Sequence, residues 1–428
     1  MARSLVAVLA GTFTLRFSTG LTGAMLGLYL ADLPEHGGPE VGGAIVGLFA
    51  ATFYLAELVL SPIFGILSDR LGHHRVMLYG PVFGGIAVVL TGLTTQLPIL
   101  GATRLLEGAS TAASVPSILG FIALATAGNE LLRGQTAARF EGATLAGLGV
   151  GFIVAPKLFE AIGPGAFFLN AVIYGASFVI YLVGVKDPAG EREAVAARHF
   201  GFSRYLELIR SAHVLLLAPT WIAVNASIGL WFSQSLFQFS KANPDFPNQV
   251  LMRGFDANQI TMTAIVIAIV FGAGLLYWGN RFKSMRRTTI ILYGILGGAV
   301  LVAAGLGVNH SGGLPLVVPL GAAVLAGAGL FVLAGATPAA LGLLADISER
   351  FPGDRGAIMG LYSVFLAIGQ ITGSLIGGLA ADRGGIDGML VATFALLAVA
   401  LIPLSRLRDQ EHQIEGPESP AYLGDAVR

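Results

Sequence analysis

The chain has 428 residues, of which 12% are charged and 55% apolar, and its mean hydropathy is +0.77; soluble domains carry roughly 25% charged residues. Lys and Arg balance Asp and Glu at 25 each, so no global field points to nucleic acid or to an acidic partner. There is no cysteine, which excludes disulfides, thiolate metal sites and a cysteine nucleophile.

Apolar windows recur at residues 5–31, 41–67, 76–95, 97–125, 140–162, 165–185, 213–239, 257–280, 288–308, 314–344, 356–381 and 386–407. Each is long enough to cross a bilayer as a helix, which predicts an all-α membrane protein of about 12 transmembrane helices. Met1 to Ala10 resembles the start of a signal peptide, but the apolar run continues past Arg16 with no convincing cleavage site. It is read as the first span, retained. Lys241, Arg253 and Arg383 fall on one face, Arg16, Arg104 and Lys157 fall inside spans, and the remaining Lys and Arg fall on the other face. The positive-inside rule makes that face, with both termini, cytoplasmic; the expected location is the plasma (inner) membrane.

Ionisable groups inside a bilayer call for a partner or a wet cavity. Arg16 lies mid-span in the first window and Glu57 in the inner half of the second. Between the second and third windows stands Gly65-Ile66-Leu67-Ser68-Asp69-Arg70-Leu71-Gly72-His73-His74-Arg75. Asp69 ends a helix, where the macrodipole is negative, so it needs a cation or another helix N-terminus. Arg75 can supply the first and a neighbouring span the second. Gly65 permits close helix approach, Gly72 a positive φ, and the two histidines read as additional positive charge on the cytoplasmic side. The spacing Gly-x-x-x-Asp-Arg-x-Gly-x-x-Arg resembles the loop between spans 2 and 3 of the major facilitator superfamily of secondary transporters. The resemblance implies two pseudo-symmetric six-helix bundles and a cytoplasmic latch formed by Gly65, Asp69, Arg70, Gly72 and Arg75.

In the fourth window Arg104 and Glu107 share a helix face and can pair. Arg104-Leu105-Leu106-Glu107-Gly108 resembles the family's span 4 motif, whose arginine is linked to proton movement in antiporters. Glu57 and Glu107 are thus candidate proton carriers, with Arg16 and Arg104 poising them; a neutralised structural Arg104–Glu107 pair is the alternative. In the fifth window Gly142, Gly151 and Ala155-Pro156 resemble the family's antiporter motif through its proline. Ala155 and Phe159-Glu160 depart from it, which weakens the implied export direction. In the family this motif packs spans 5 and 8 closely; generic helix packing is the other reading. Lys157 and Glu160 are spaced to pair near the outer end.

Residues 186–212 form a cytoplasmic linker, either an interfacial helix with Phe202, Tyr205, Leu206 and Ile209 on one face or a flexible segment. They divide an amino-terminal bundle, 1–185, from a carboxy-terminal bundle, 213–408; residues 409–428 read as a polar tail. At an offset of 222 residues, Pro116, Gly120, Arg133, Gly134, Gly147, Gly151 and Gly163 recur as Pro338, Gly342, Arg355, Gly356, Gly369, Gly373 and Gly385, an internal repeat of the two halves. Asn280 to Arg287 form a degenerate second latch, and Asp256 is placed to cap the eighth span. Trp221, Asn225 and Phe232 share a face of the seventh span, and Phe331 marks a face of the tenth. By the family's geometry these spans line the central cavity, so the four are substrate-cavity candidates.

The seven histidines show no metal-ligand spacing, and no Gly-x-x-x-x-Gly-Lys-Ser/Thr loop is present to hold a nucleotide. The expectation is a monomeric transporter, not an enzyme, with no cofactor or metal, whose partners are a small-molecule solute, protons and the lipid bilayer. Proton-coupled export of a lipophilic or amphipathic compound by alternating access is the leading reading. An importer or uniporter of a monoanionic organic solute and a non-transporting permease-like sensor are the alternatives.

Overall fold

The computed structural model describes residues 2–186, 212–349 and 355–409. The expected linker and tail therefore fall outside the described residues almost entirely. Contacts divide the chain into two compact units, Met1–His199 with Phe255–Ala264, and Phe200–Gly254 with Ile265–Arg428.

The helices are α1 (Ala2–Ala31), α2 (Gly43–Leu71), α3 (His73–Met77), α4 (Tyr79–Gly92), α5 (Leu97–Ala125), α6 (Glu130–Ile162), α7 (Gly165–Gly184), α8 (Ala212–Ser240), α9 (Ala257–Gly279), α10 (Arg287–Asn309), α11 (Val317–Leu333), α12 (Ala336–Glu349) and α13 (Arg355–Asp409). Among the described residues, ten helical stretches are apolar and long enough to cross a membrane, with α3–α4 and α11–α12 each forming one and the last running 46 residues, Ser363–Arg408. Gly385, at φ 57° and ψ −139°, breaks α13 in two, so that stretch supplies two spans. With the 29 residues of α8 the architecture agrees with the expected twelve. No β-strand is formed among the described residues.

In the first unit α1 runs along α6, α2 along α5, and α4 packs between α5 and α7. Glycine makes the α1–α6 contact possible. A Cβ on Gly147 would lie 2.6 Å from the Phe13 carbonyl oxygen and 2.9 Å from Arg16 Cβ; one on Gly151 would meet the Phe17 carbonyl oxygen and lie 2.7 Å from the Leu21 nitrogen. Contacts advance together along both helices, so the two are parallel. Asn170 of α7 ties in α1 by donating to the Ser18 carbonyl at 3.0 Å and to Thr22 Oγ1 at 2.7 Å.

The second unit repeats this packing residue for residue. A Cβ on Gly369 would meet Ile222 O at 2.8 Å and Asn225 Cβ at 2.5 Å, and one on Gly373 would meet the Ala226 carbonyl group. Phe13, Arg16 and Phe17 thus correspond to Ile222, Asn225 and Ala226 at a constant offset. The repeat extends to the backbone: Gly163, which ends α6, has φ 54° and ψ −139°, within a few degrees of Gly385. Gln249 fixes the second break, its Oε1 accepting from Ile386 N–H at 2.8 Å and its Nε2 donating to Gly384 O at 2.9 Å. At the start of α9, Asp256 Oδ1 accepts from Gln259 N–H at 2.9 Å, the cap expected there, and Gln259 Oε1 accepts in return from Asp256 N–H at 3.1 Å.

Candidate functional site

Arg104 and Glu107 lie on α5, whose residues from Thr103 to Ser114 are mostly buried among neighbouring helices. Arg104 Nη1 donates to Glu107 Oε2, and the two side chains are only 8% and 2% exposed. The guanidinium also stacks over the Phe53 ring, 5.0 Å from its centre. Gly108 explains the closeness of α2: a Cβ there would lie 2.7 Å from Ala56 Cβ and 3.2 Å from the Glu57 nitrogen. The pair is closed and leaves Glu107 little access to solvent.

Glu57 differs. It is half-buried on α2, and among the described residues no ion-pair contact engages it. Arg16, also half-buried, reaches toward α5 with Nη1 3.5 Å from Thr111 Oγ1, one helical turn beyond Gly108. Its charge acts across space on Glu57 and on a second carboxylate, Glu141 of α6. Glu141 is exposed and escapes a reading of the sequence because it stands two residues after Arg139, at the edge of the fifth apolar window. The signal that could have found it is that the window already includes it.

The latch region departs from expectation in its partners. Gly72 does take a positive φ, 97°, ending α2 with its N–H on Ser68 O. The contact that the described residues give Asp69 is with His73, Nε2 to Oδ1 at 3.8 Å, and not with Arg75, which is exposed along with Arg70. His73 is buried rather than a solvated positive charge: its Nδ1 lies 3.1 Å from Ser68 Oγ, and its ring covers Gly120. His74 Nε2 lies 3.0 Å from the Tyr181 carbonyl oxygen. A Cβ on Gly65 would meet only Pro116, at 3.8 Å, so this glycine serves no tight approach within its unit.

Of the antiporter-like residues, Gly151 packs on α1, Gly142 has open space around its Cα, and Pro156 lies inside α6. The tight contact at Gly151 is thus with span 1, whereas the resemblance implied span 8. Lys157 donates to Glu160 Oε2 at 2.6 Å, as its spacing predicts. The cavity candidates of the second unit are largely consumed by packing. Trp221 belongs to the buried core of that unit, and Asn225 is buried against Gly369 with Nδ2 on its own Trp221 carbonyl at 2.9 Å. Phe331 packs on Tyr277, and its carbonyl accepts from Trp278 Nε1 at 3.1 Å. Helical spacing put these residues on common faces, but those faces meet α9 and α13. Phe232 is 60% exposed.

A crevice of about 410 Å³ between α4 and α7, lined by Pro81, Val82, Ile86, Val89 and Phe178, is apolar and holds none of the ionisable candidates. Among the described residues no group of three His, Asp or Glu is placed to hold a metal ion.

Comparison with known proteins agrees with this architecture. A family model described as Major Facilitator Superfamily matches residues 8–333 and 234–422. Multidrug resistance protein 1 of Bacillus subtilis is 26% identical over 369 residues, 85% of this chain and 86% of that one. Multidrug resistance protein 2 of the same organism is 23% identical over 365 residues, covering 84% and 85%. Quinolone resistance protein NorA of Staphylococcus aureus is 22% identical over 373 residues, covering 86% and 87%. A crystal structure of nucleoside transporter NupG superposes with a TM-score of 0.69 at 14% identity, covering 95% of this chain and 98% of that one. At that identity the likeness concerns the fold.

Proposed function

Because the chain belongs to the major facilitator superfamily, we propose that this integral membrane transporter exports small lipophilic or amphipathic compounds in exchange for protons. Glu57 is the proton carrier and Arg16 the cation that poises it. The observation that carries this reading is the contrast between two carboxylates. Glu107 is closed onto Arg104, whereas Glu57 is half-buried, with Arg16 acting on it across space. A carboxylate between a nearby cation and apolar walls changes its proton affinity whenever access or distance changes, as alternating access requires. The names of the relatives, multidrug and quinolone resistance proteins, support the direction and the solute class. The protein sits in the plasma (inner) membrane with both termini cytoplasmic, by the distribution of Lys and Arg.

The test is accumulation of norfloxacin and of ethidium in proteoliposomes under an imposed pH gradient. Wild type accumulates at least one of them, and Glu57→Gln loses gradient-driven accumulation while retaining exchange of labelled for unlabelled probe. Accumulation by Glu57→Gln at the wild-type level removes the carrier role from Glu57. Flux indifferent to pH returns the monoanion uniporter, with Arg16 as counter-ion, and binding without flux returns the sensor.

A further inference from the structure

Glu141 is an ionisable group near the amino-terminal end of a span, and the proposed cycle leaves it unused. Its place relative to Arg16 follows from α1 and α6 being parallel. Gly147 lets Arg16 Cβ lie directly against α6, and Glu141 stands six residues toward the amino-terminal end of the same helix, about 9 Å along its axis. Helical side chains lean toward the amino terminus, so Arg16 leans toward the level of Glu141. On the other side, its Nη1 approaches Thr111, one turn from Gly108, where α2 brings in Glu57. Arg16 thus bridges α6, the helix that carries Glu141, and the part of α5 against which α2 packs beside Glu57.

We propose that Glu141 is a positioning residue of the proton-coupling site, sharing Arg16 with Glu57, so that movement of the guanidinium between the two carboxylates governs when Glu57 holds a proton. This rests on the reading of Glu57 as carrier. One cation cannot neutralise two carboxylates in apolar surroundings, and a carboxylate left without it takes a proton instead. With Arg16 on Glu141, Glu57 binds a proton from the water then accessible. With Arg16 on Glu57, the O–H bond breaks, the proton returns to water, and the carboxylate keeps the electron pair beside the cation. The hydroxyls of Tyr54, Tyr174 and Tyr181 also lie within the field of Arg16. Beyond these, α6 carries Arg139 and the Lys157–Glu160 pair, α1 carries Arg3, and α5 carries the closed Arg104–Glu107 pair.

The repeat supplies an independent observation. In the second unit Asn225 occupies the packing position of Arg16, and the residue 222 positions after Glu141 is Ser363. Cation and carboxylate are replaced together by neutral residues, as expected of two groups that serve each other.

The experiment compares pH profiles of gradient-driven ethidium accumulation for wild type, Glu141→Gln, Glu141→Asp, Arg16→Lys and the double variant Arg16→Lys/Glu141→Gln, with Glu57→Gln as control. Glu141→Gln moves the midpoint of the profile toward acid by about one pH unit, while Glu141→Asp keeps the wild-type profile. The shifts of Arg16→Lys and Glu141→Gln do not add in the double variant, because both act through one guanidinium. A Glu141→Gln profile superimposed on wild type, with Glu57→Gln inactive in coupling, overturns this inference alone, and so do additive shifts. Coupling that survives Glu57→Gln overturns the earlier reading instead. Should Glu141→Gln fail to insert, Glu141→Ala takes its place in the same comparison, alone and combined with Arg16→Lys.

Discussion

Arg104 and Glu107, three residues apart on α5, close on each other inside the helix bundle, with Arg104 also stacked on Phe53. Removing one member of such a pair strands the other charge, which costs about 3–5 kcal/mol, whereas replacing both by apolar residues of similar volume is often close to neutral. Glu107→Gln and Arg104→Met are therefore each expected to lower the unfolding temperature in detergent sharply, and Arg104→Met/Glu107→Leu to recover most of the loss. The double variant also retains pH-driven accumulation. If it unfolds as readily as the single variants, the pair does more than neutralise itself.

Gly142 and Gly151 belong to one sequence motif but to different surroundings. A side chain on Gly151 would collide with the backbone of α1 at Phe17 and Leu21, while Gly142 has nothing within 4 Å of an added Cβ. Overpacking costs about 1–3 kcal/mol, so Gly151→Val is expected to destabilise by at least that much. Gly142→Ala, in a helix interior, is expected to gain up to about 1 kcal/mol. Thermal unfolding of the two purified variants separates the roles, and equal losses would contradict the geometry.

The parts of the fold legible in the sequence were those written in local chemistry. Span lengths, the cap at Asp256, the turn at Gly72 and the glycines repeated at a fixed offset each depend on one residue type at one place. The site was less legible for a physical reason. In a membrane protein apolar character does not mark the inside, because lipid and protein interior are equally apolar. Helical spacing told that Trp221 and Asn225 share a face but not that the face meets α13. His73 read as a surface charge, since nothing in the loop announces that Gly120, nearly fifty residues later, leaves space for its ring. Glu141 was hidden by Arg139, which made it look interfacial.

His73 itself offers a direct check on the latch. An Ala at Gly120 would place its Cβ 2.7 Å from His73 Nδ1, displacing the ring from Ser68 and Asp69. Gly120→Ala is expected to loosen the α2–α3 turn, read as several-fold faster tryptic cleavage after Arg70 and Arg75, at a cost of about 1–3 kcal/mol. His73→Ala in the same background removes the clash and recovers part of that stability. Cleavage rates unchanged in Gly120→Ala would mean that the histidine does not hold the turn.

Gly163 and Gly385 have nearly the same backbone angles, φ 54° and 57° with ψ −139°, in a region of conformational space close to one that only glycine occupies readily. An Ala at either position pays for that backbone, about 1–3 kcal/mol. The two sites differ in what surrounds them. No atom lies within 4 Å of a Cβ on Gly163, whereas one on Gly385 would lie 2.7 Å from Gln249 Oε1, the oxygen that accepts from Ile386 N–H. Gly385→Ala should therefore cost more than Gly163→Ala, because it also expels the side chain that satisfies the broken helix. Gln249→Ala alone leaves the Ile386 N–H without that acceptor and is destabilising by about 1–3 kcal/mol. In the Gln249→Ala background the excess of Gly385→Ala over Gly163→Ala is expected to shrink to the part set by Phe246, whose ring would lie 3.0 Å from the same Cβ. Unfolding measurements on the single and double variants decide it, and an excess undiminished without Gln249 would place the clash at Phe246 instead.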